Sequence, residues 1–253
     1  MLEPYLRDKM KEKDILLMTH LVLGYPSFED SFRIIKSMVE AGVDLMELQI
    51  PFSEPIADGP LILRANQRAL ENGATITESL DLAKRVTGTF DIPFLFMTYY
   101  NIFFKYGTER FVSEMADRQM RGAIIPDLPP EEGTTYLKAM EKQALDPILI
   151  FSPTTSIERM KYLSGFARGF VYCVARKGVT GQDTRFSDAL GTYLSRCRAA
   201  TNLPLAVGFG VKQKADIDFL KGKADIAVIG TQTIRIVEEQ GVDAVGPFIR
   251  SLR

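Results

Sequence analysis

Short apolar runs alternate along this chain with segments whose apolar residues recur every three to four positions. Residues 15–23 form a near-continuous apolar run, the pattern of a strand covered on both faces, and the turn Gly24-Tyr25-Pro26-Ser27 stops it. Phe28, Phe32, Ile35, Met38 and Val39 then recur at helical spacing. Ser27 stands ready to cap that helix, with Asp30 three residues on, and Gly42 ends it. A second strand begins at Val43. Its alternation puts Val43, Leu45, Glu47 and Gln49 on one face and Asp44, Met46, Leu48 and Ile50 on the other. Pro51 ends the ladder, having no N–H to donate. The alternation continues with strands predicted over 92–97, 122–125, 147–151, 169–174, 203–208 and 225–229. Helices are predicted over 61–72, 77–88, 104–119, 131–143, 156–164, 188–200, 212–220, 231–239 and 243–252. A short helix over 2–12, with Pro4 in its first turn, leads the chain.

Eight strands alternating with helices match a single (β/α)8 TIM barrel with a short extra N-terminal helix. An open doubly wound sheet is the alternative, but it would normally carry Gly-x-Gly-x-x-Gly after its first strand, where this chain has LGYPS. No composition shift or long linker divides residues 1–253, which read as one domain. Hydrophobic residues make up 46% of the chain, enough for a sizeable core. A net charge of −1 gives no electrostatic case for nucleic acid or an anionic membrane. The apolar runs are too short to span a bilayer. The N-terminal stretch MLEPYLRDKMKEKD lacks the apolar core of a signal peptide, so a cytoplasmic location is expected. Cys173 and Cys197 show no metal-ligand spacing and are read as reduced thiols. With one histidine, His20, no site of several His ligands can form, and no metal is expected.

In a barrel, chemistry belongs at the C-terminal ends of the strands. Glu47 ends the second strand, and Asp58 lies on the loop after it. Two carboxylates held in different environments suit a reaction that moves protons at two places on one substrate. The other reading of Glu47 is a structural salt bridge at the barrel mouth, and Ala57-Asp58-Gly59 is also an ordinary turn. Gly208 and Gly210 follow the seventh strand, and Gly230 and Thr231 the eighth, where barrels commonly bind phosphate. Turn glycines are the alternative. Tyr99 and Tyr172, near the ends of the third and sixth strands, read from the residues alone as barrel packing, and His20 as a satisfied wall residue. Asp127 is either a cap or a surface contact.

These residues resemble the tryptophan synthase alpha subunit family. The most specific stretch is ELQIPFSEPIADGP at 47–60, similar to that family's ELG-PFSDP-ADGP signature. TYYN at 98–101, PDLP at 126–129, RKGVTG at 176–181, GFG at 208–210 and GT at 230–231 support it in order along the whole chain. The resemblance implies retro-aldol cleavage of indole-3-glycerol phosphate to indole and glyceraldehyde 3-phosphate, in tryptophan biosynthesis. It implies Glu47 as the acid–base group, Asp58 as the second carboxylate, and Tyr99 and Tyr172 as pocket residues. It implies Gly181, Gly210, Gly230 and Thr231 as the phosphate site. No cofactor is expected on this chain. Pyridoxal phosphate is expected only in a partner beta subunit, within an alpha-beta-beta-alpha tetramer.

The chain departs from the family where Gln49 replaces a glycine, His20 an apolar aromatic, Glu54 an aspartate and Tyr25 an aspartate. His20 and Gln49 are therefore candidate substrate-binding residues. Gln49 shares a strand face with Glu47, and its amide is expected to meet either Glu47 or the substrate hydroxyl. Two alternatives to an active lyase follow: a divergent alpha subunit kept mainly to bind and activate the beta subunit, or a barrel enzyme acting on another phosphorylated substrate. The polar, glycine-containing stretch 176–187 has the composition of a lid.

Overall fold

The computed structural model describes residues 1–174, 188–208 and 210–253. Each predicted apolar run forms a strand: β1 (Leu16–Val22), β2 (Leu45–Gln49), β3 (Phe94–Met97), β4 (Gly122–Ile124), β5 (Asp146–Phe151), β6 (Val171–Val174), β7 (Leu205–Gly208) and β8 (Ile226–Ile229). All are parallel. They pair in sequence order, and β8 closes on β1. The helices are α1 (Leu2–Glu12), α2 (Phe28–Glu40), α3 (Pro60–Glu71), α4 (Ile76–Thr87), α5 (Tyr100–Tyr106), α6 (Thr108–Asp117), α7 (Thr134–Lys142), α8 (Ile157–Ser164), α9 (Asp188–Ala200), α10 (Lys214–Leu220), α11 (Thr231–Gln240) and α12 (Val245–Ser251). This is the expected (β/α)8 barrel. None of the described helices is long and apolar enough to cross a membrane.

Strand parity divides the core in two. Leu16 and Met18 of β1, Leu45 of β2, Leu95 and Met97 of β3, Ile124 of β4 and Ile148 of β5 fill the barrel with Phe170, Ala206, Ile226 and Val228. The alternate positions, among them Met46, Leu48 and Phe96, pack outward against the helices. Leu2 and Leu6 of α1 belong to the inner cluster, so α1 closes the floor. Leu6→Ala would open a cavity there, at a cost of roughly 2–5 kcal/mol. Polar contacts fix the floor. Leu2 N donates to the buried Asp146 carboxylate at 2.6 Å. Asp44 accepts from Leu17 N at 2.9 Å and pairs with Lys13 and with Arg253.

The structure moves several expected boundaries, for local reasons. The helix expected over 104–119 is two helices, because Gly107, at φ 95°, turns the chain between α5 and α6. β2 starts at Leu45 rather than Val43, since the preceding Asp44 is engaged with the Leu17 backbone. α7 starts at Thr134 rather than 131, after Glu132 N and Gly133 N turn back onto Pro129 O and Pro130 O. α10 starts at Lys214 because Gln213 forms its cap with Asp216. Ser27 does cap α2, accepting from Asp30 N at 3.0 Å. The stretch 176–187, read as a lid, and Gly181 within it lie outside the described residues.

Candidate active site

Near the C-terminal end of the barrel the inward positions change from apolar to polar. In β1 the face that carries Leu16 and Met18 continues to His20, and in β2 the face that carries Leu45 continues to Glu47 and Gln49. The parallel register sets His20 opposite Glu47 and Val22 opposite Gln49. These polar side chains are almost wholly enclosed: His20 is 4% exposed, Glu47 3% and Gln49 0%. Buried polar groups need partners, and the pairing here has two halves.

In the first, His20 Nδ1 lies 3.0 Å from Glu47 Oε1. Burial opposes charge on the imidazole, but the hydrogen bond and charge of Glu47, joined by the charge of Asp58, outweigh it. The His20 pKa therefore lies above its ordinary 6.5. In the second, Gln49 Nε2 donates to Asp58 Oδ2 at 2.7 Å, and the Tyr99 hydroxyl donates to the same oxygen at 3.0 Å. The Tyr99 oxygen in turn accepts from Ala57 N at 3.0 Å. Phe52 stacks on the Tyr99 ring at 5.2 Å, and Phe52 N is held by Asn66 of α3 at 2.9 Å. The loop that carries Asp58 is thus fixed from both sides. Burial pushes the Asp58 pKa up. The charge of His20 and the bonds from Gln49 and Tyr99 pull it back part of the way, and Glu47 adds to the rise.

Tyr172 of β6 projects beside this group. Burial, then the charges of Glu47 and Asp58, push its phenol well above the ordinary value, so it stays a proton donor. Its ring fills the space against Gly208, where an added Cβ would meet the phenol oxygen at 2.3 Å. Even so, Glu47 Oε2, His20 Nε2 and Gln49 Oε1 are all buried with no hydrogen-bond partner among the described residues. Three orphaned polar atoms at one barrel mouth mark a place for the polar atoms of a ligand.

Gly210, at φ 103°, and Gly230 lie beyond β7 and β8 on the same rim. Gly230 precedes α11, whose first turn opens with Thr231 and receives no side-chain cap. Its first N–H groups suit an anion. Among the described residues no three His, Cys, Asp or Glu side chains group as metal ligands.

The structure brings together Glu47, Asp58, Tyr99, Tyr172, Gln49 and His20. Of the two partners left open for the Gln49 amide, Glu47 is not the one it meets: the amide bonds Asp58, because the loop folds Asp58 back over the strand end. His20 supplies the partner of Glu47, a role the sequence reading missed. The inward period of Leu16, Met18 and His20 was the available signal. The Ala57–Tyr99–Asp58 chain had no such signal. Asp127 is a cap, accepting from Tyr100 N at the start of α5 at 2.9 and 3.1 Å.

Residues 6–246 match the family model described as tryptophan synthase alpha chain. The chain is 66% identical to the tryptophan synthase alpha chain of Desulforapulum autotrophicum, over the full length of both. It is 60% identical to that of Syntrophotalea carbinolica, again over the full length of both. A solved structure of Mycobacterium tuberculosis tryptophan synthase superposes with a TM-score of 0.93 at 30% identity, covering 99% of this chain and 96% of that one. The chain belongs to the tryptophan synthase alpha chain family.

Proposed function

We propose that the chain cleaves indole-3-glycerol phosphate to indole and glyceraldehyde 3-phosphate, with Glu47 and Asp58 as the two working carboxylates. The observation that carries this reading is that the two are held separately in one enclosed pocket, Glu47 by His20 and Asp58 by Gln49 and Tyr99, with Glu47 Oε2 still free. The reaction must add a proton at indole C3 and remove one from the adjacent glycerol hydroxyl. It also builds positive charge at the indole nitrogen. Glu47 exchanges protons at C3 and the hydroxyl. Asp58, ionised, accepts a hydrogen bond from the indole N–H and stabilises that charge. Tyr172 borders the indole, and the orphaned Gln49 Oε1 and His20 Nε2 meet the glycerol hydroxyls. Gly210, Gly230, Thr231 and Gly181 hold the phosphate, which positions the substrate from a distance.

This reading requires no metal, Schiff base or cofactor on the chain. Pyridoxal phosphate belongs to the partner beta subunit, with which the chain forms an alpha-beta-beta-alpha tetramer in the cytoplasm. Ile56, in the loop after β2, is 72% exposed, and Phe104 of α5 is 68% exposed. Two such apolar side chains on the catalytic rim support docking of the partner there. A second reading, that the chain mainly activates the beta subunit, draws on His20 and Gln49 already engaging one oxygen of each carboxylate. Indole release from indole-3-glycerol phosphate, measured with and without the beta subunit, separates the two. Release that the partner accelerates is expected. No release in either condition, with the partner still activated, would favour the second reading.

A further inference from the structure

We propose that His20 is the proton store of the site: paired with Glu47, it keeps one transferable proton at the reacting centre near neutral pH. The inference rests on the retro-aldol reading and gives His20, beside its contact with the substrate, a second role exercised through Glu47. The cleavage must deliver a proton to indole C3, so the site needs a group that holds one there. The parallel register sets His20 across from Glu47 with Nδ1 and Oε1 3.0 Å apart, and both side chains are buried. The flank of β1 away from Glu47 is closed by the Gly230 backbone, where an added Cβ would sit 3.3 Å from the His20 Cβ. Burial of both side chains keeps the ring beside its partner.

The charges around the pair favour the same assignment. Glu47 of β2 and Asp58 of the following loop both act on His20 and favour its charged form. From the β8 side Gly230 brings no charge. Tyr172 of β6, facing Glu47, stays neutral. The buried Glu47 beside the half-buried Asp58 would be costly without a cation. His20 is the cation whose charge opposes the rise in the Asp58 pKa.

The proton count closes over one turnover. The pair holds one proton, either on the imidazole or on Glu47. In the glutamic-acid form Glu47 gives it to C3, forming the C3–H bond. The freed carboxylate then takes the proton of the glycerol hydroxyl. The O–H electron pair becomes the carbonyl π bond, and the pair from the broken C–C bond returns to the indole ring. The hydroxyl proton recharges the pair, and no other reactant is consumed. In the imidazolium form the unpartnered Nε2–H is left for an oxygen of the bound substrate.

His20 is the chain's one histidine, so one imidazole signal reports it. An NMR titration of the parent and of Glu47→Gln tests the pair without any turnover. The parent midpoint should lie above 6.5. In Glu47→Gln, burial acts with less opposition, and the midpoint should fall by about one unit or more. Equal midpoints would overturn the proposal. His20→Asn keeps a hydrogen-bond donor beside Glu47 but cannot titrate. Its kcat for indole release at pH 8 should fall on the order of 10²-fold with KM little changed. Its alkaline limb should move to lower pH. A parent-like pH profile in His20→Asn would also overturn the proposal. If the parent itself releases no indole, the retro-aldol reading fails while the titration still judges the pair.

Discussion

Tyr99→Phe removes one oxygen and leaves the ring, so its consequences follow closely from the geometry. The Phe52 stack at 5.2 Å survives the change. Two hydrogen bonds do not: the 3.0 Å donation to Asp58 Oδ2 and the 3.0 Å acceptance from Ala57 N. A bond to a charged acceptor contributes about 1.5–3 kcal/mol, and a neutral one about 1 kcal/mol. Both partners are only partly buried, so solvent restores part of the loss. Roughly 2–3 kcal/mol of stability should go. Urea unfolding should show this as a lower midpoint at unchanged slope. Gln49 still holds Asp58 at 2.7 Å, so the carboxylate keeps half of its support. If about half of the lost energy is also lost in the transition state, indole release slows about tenfold. The Tyr99 bond also lowers the Asp58 pKa against burial, so its loss should move the acid limb of kcat to higher pH. A Tyr99→Phe protein with parental stability, rate and acid limb would refute this account of how Asp58 is held.

Other expectations concern the remaining parts of the site. The His20 pKa is raised on folding, so the stability it confers is fully present below pH 6.5 and is lost as pH rises through the folded value. The difference in urea stability between the parent and His20→Phe should therefore shrink from pH 6 to pH 9, and a constant difference would contradict it. Gln49→Gly removes the 2.7 Å bond to Asp58 and should slow indole release; a clear acceleration would show that the amide restrains the carboxylate unproductively. Gly210→Asp and Gly210→Ala carry the same strain at φ 103°, but only the first adds charge. Calorimetry should find glyceraldehyde 3-phosphate binding much weaker in Gly210→Asp than in Gly210→Ala, and equal affinities would place the phosphate elsewhere.

The barrel was legible because its strands are short apolar runs and its helices carry clear apolar stripes, as at Phe28, Phe32 and Ile35. Boundaries failed where a single backbone feature overrode the stripe. Gly107 is the clearest case, since Phe103 and Phe111 keep apolar spacing across the break. Within the site, strand parity was enough to set Glu47 and Gln49 on one inward face, and the same period of Leu16, Met18 and His20 holds in β1. It could not say which groups would pair, because Asp58 reaches Gln49 through a loop whose path depends on Tyr99, Phe52 and Asn66. The Ala57 N–H contact belongs to the same class: backbone contacts in a loop leave no periodic trace in sequence.

In the proposed mechanism Glu47 moves the protons of the cleavage. The rate of indole release from indole-3-glycerol phosphate by Glu47→Gln, beside the parent and with the beta subunit present, tests it most directly. Glutamine keeps the shape of the side chain and its place beside His20 but cannot carry a transferable proton. The account predicts a fall on the order of 10²–10⁴-fold, with glyceraldehyde 3-phosphate still bound. Turnover close to that of the parent would contradict it.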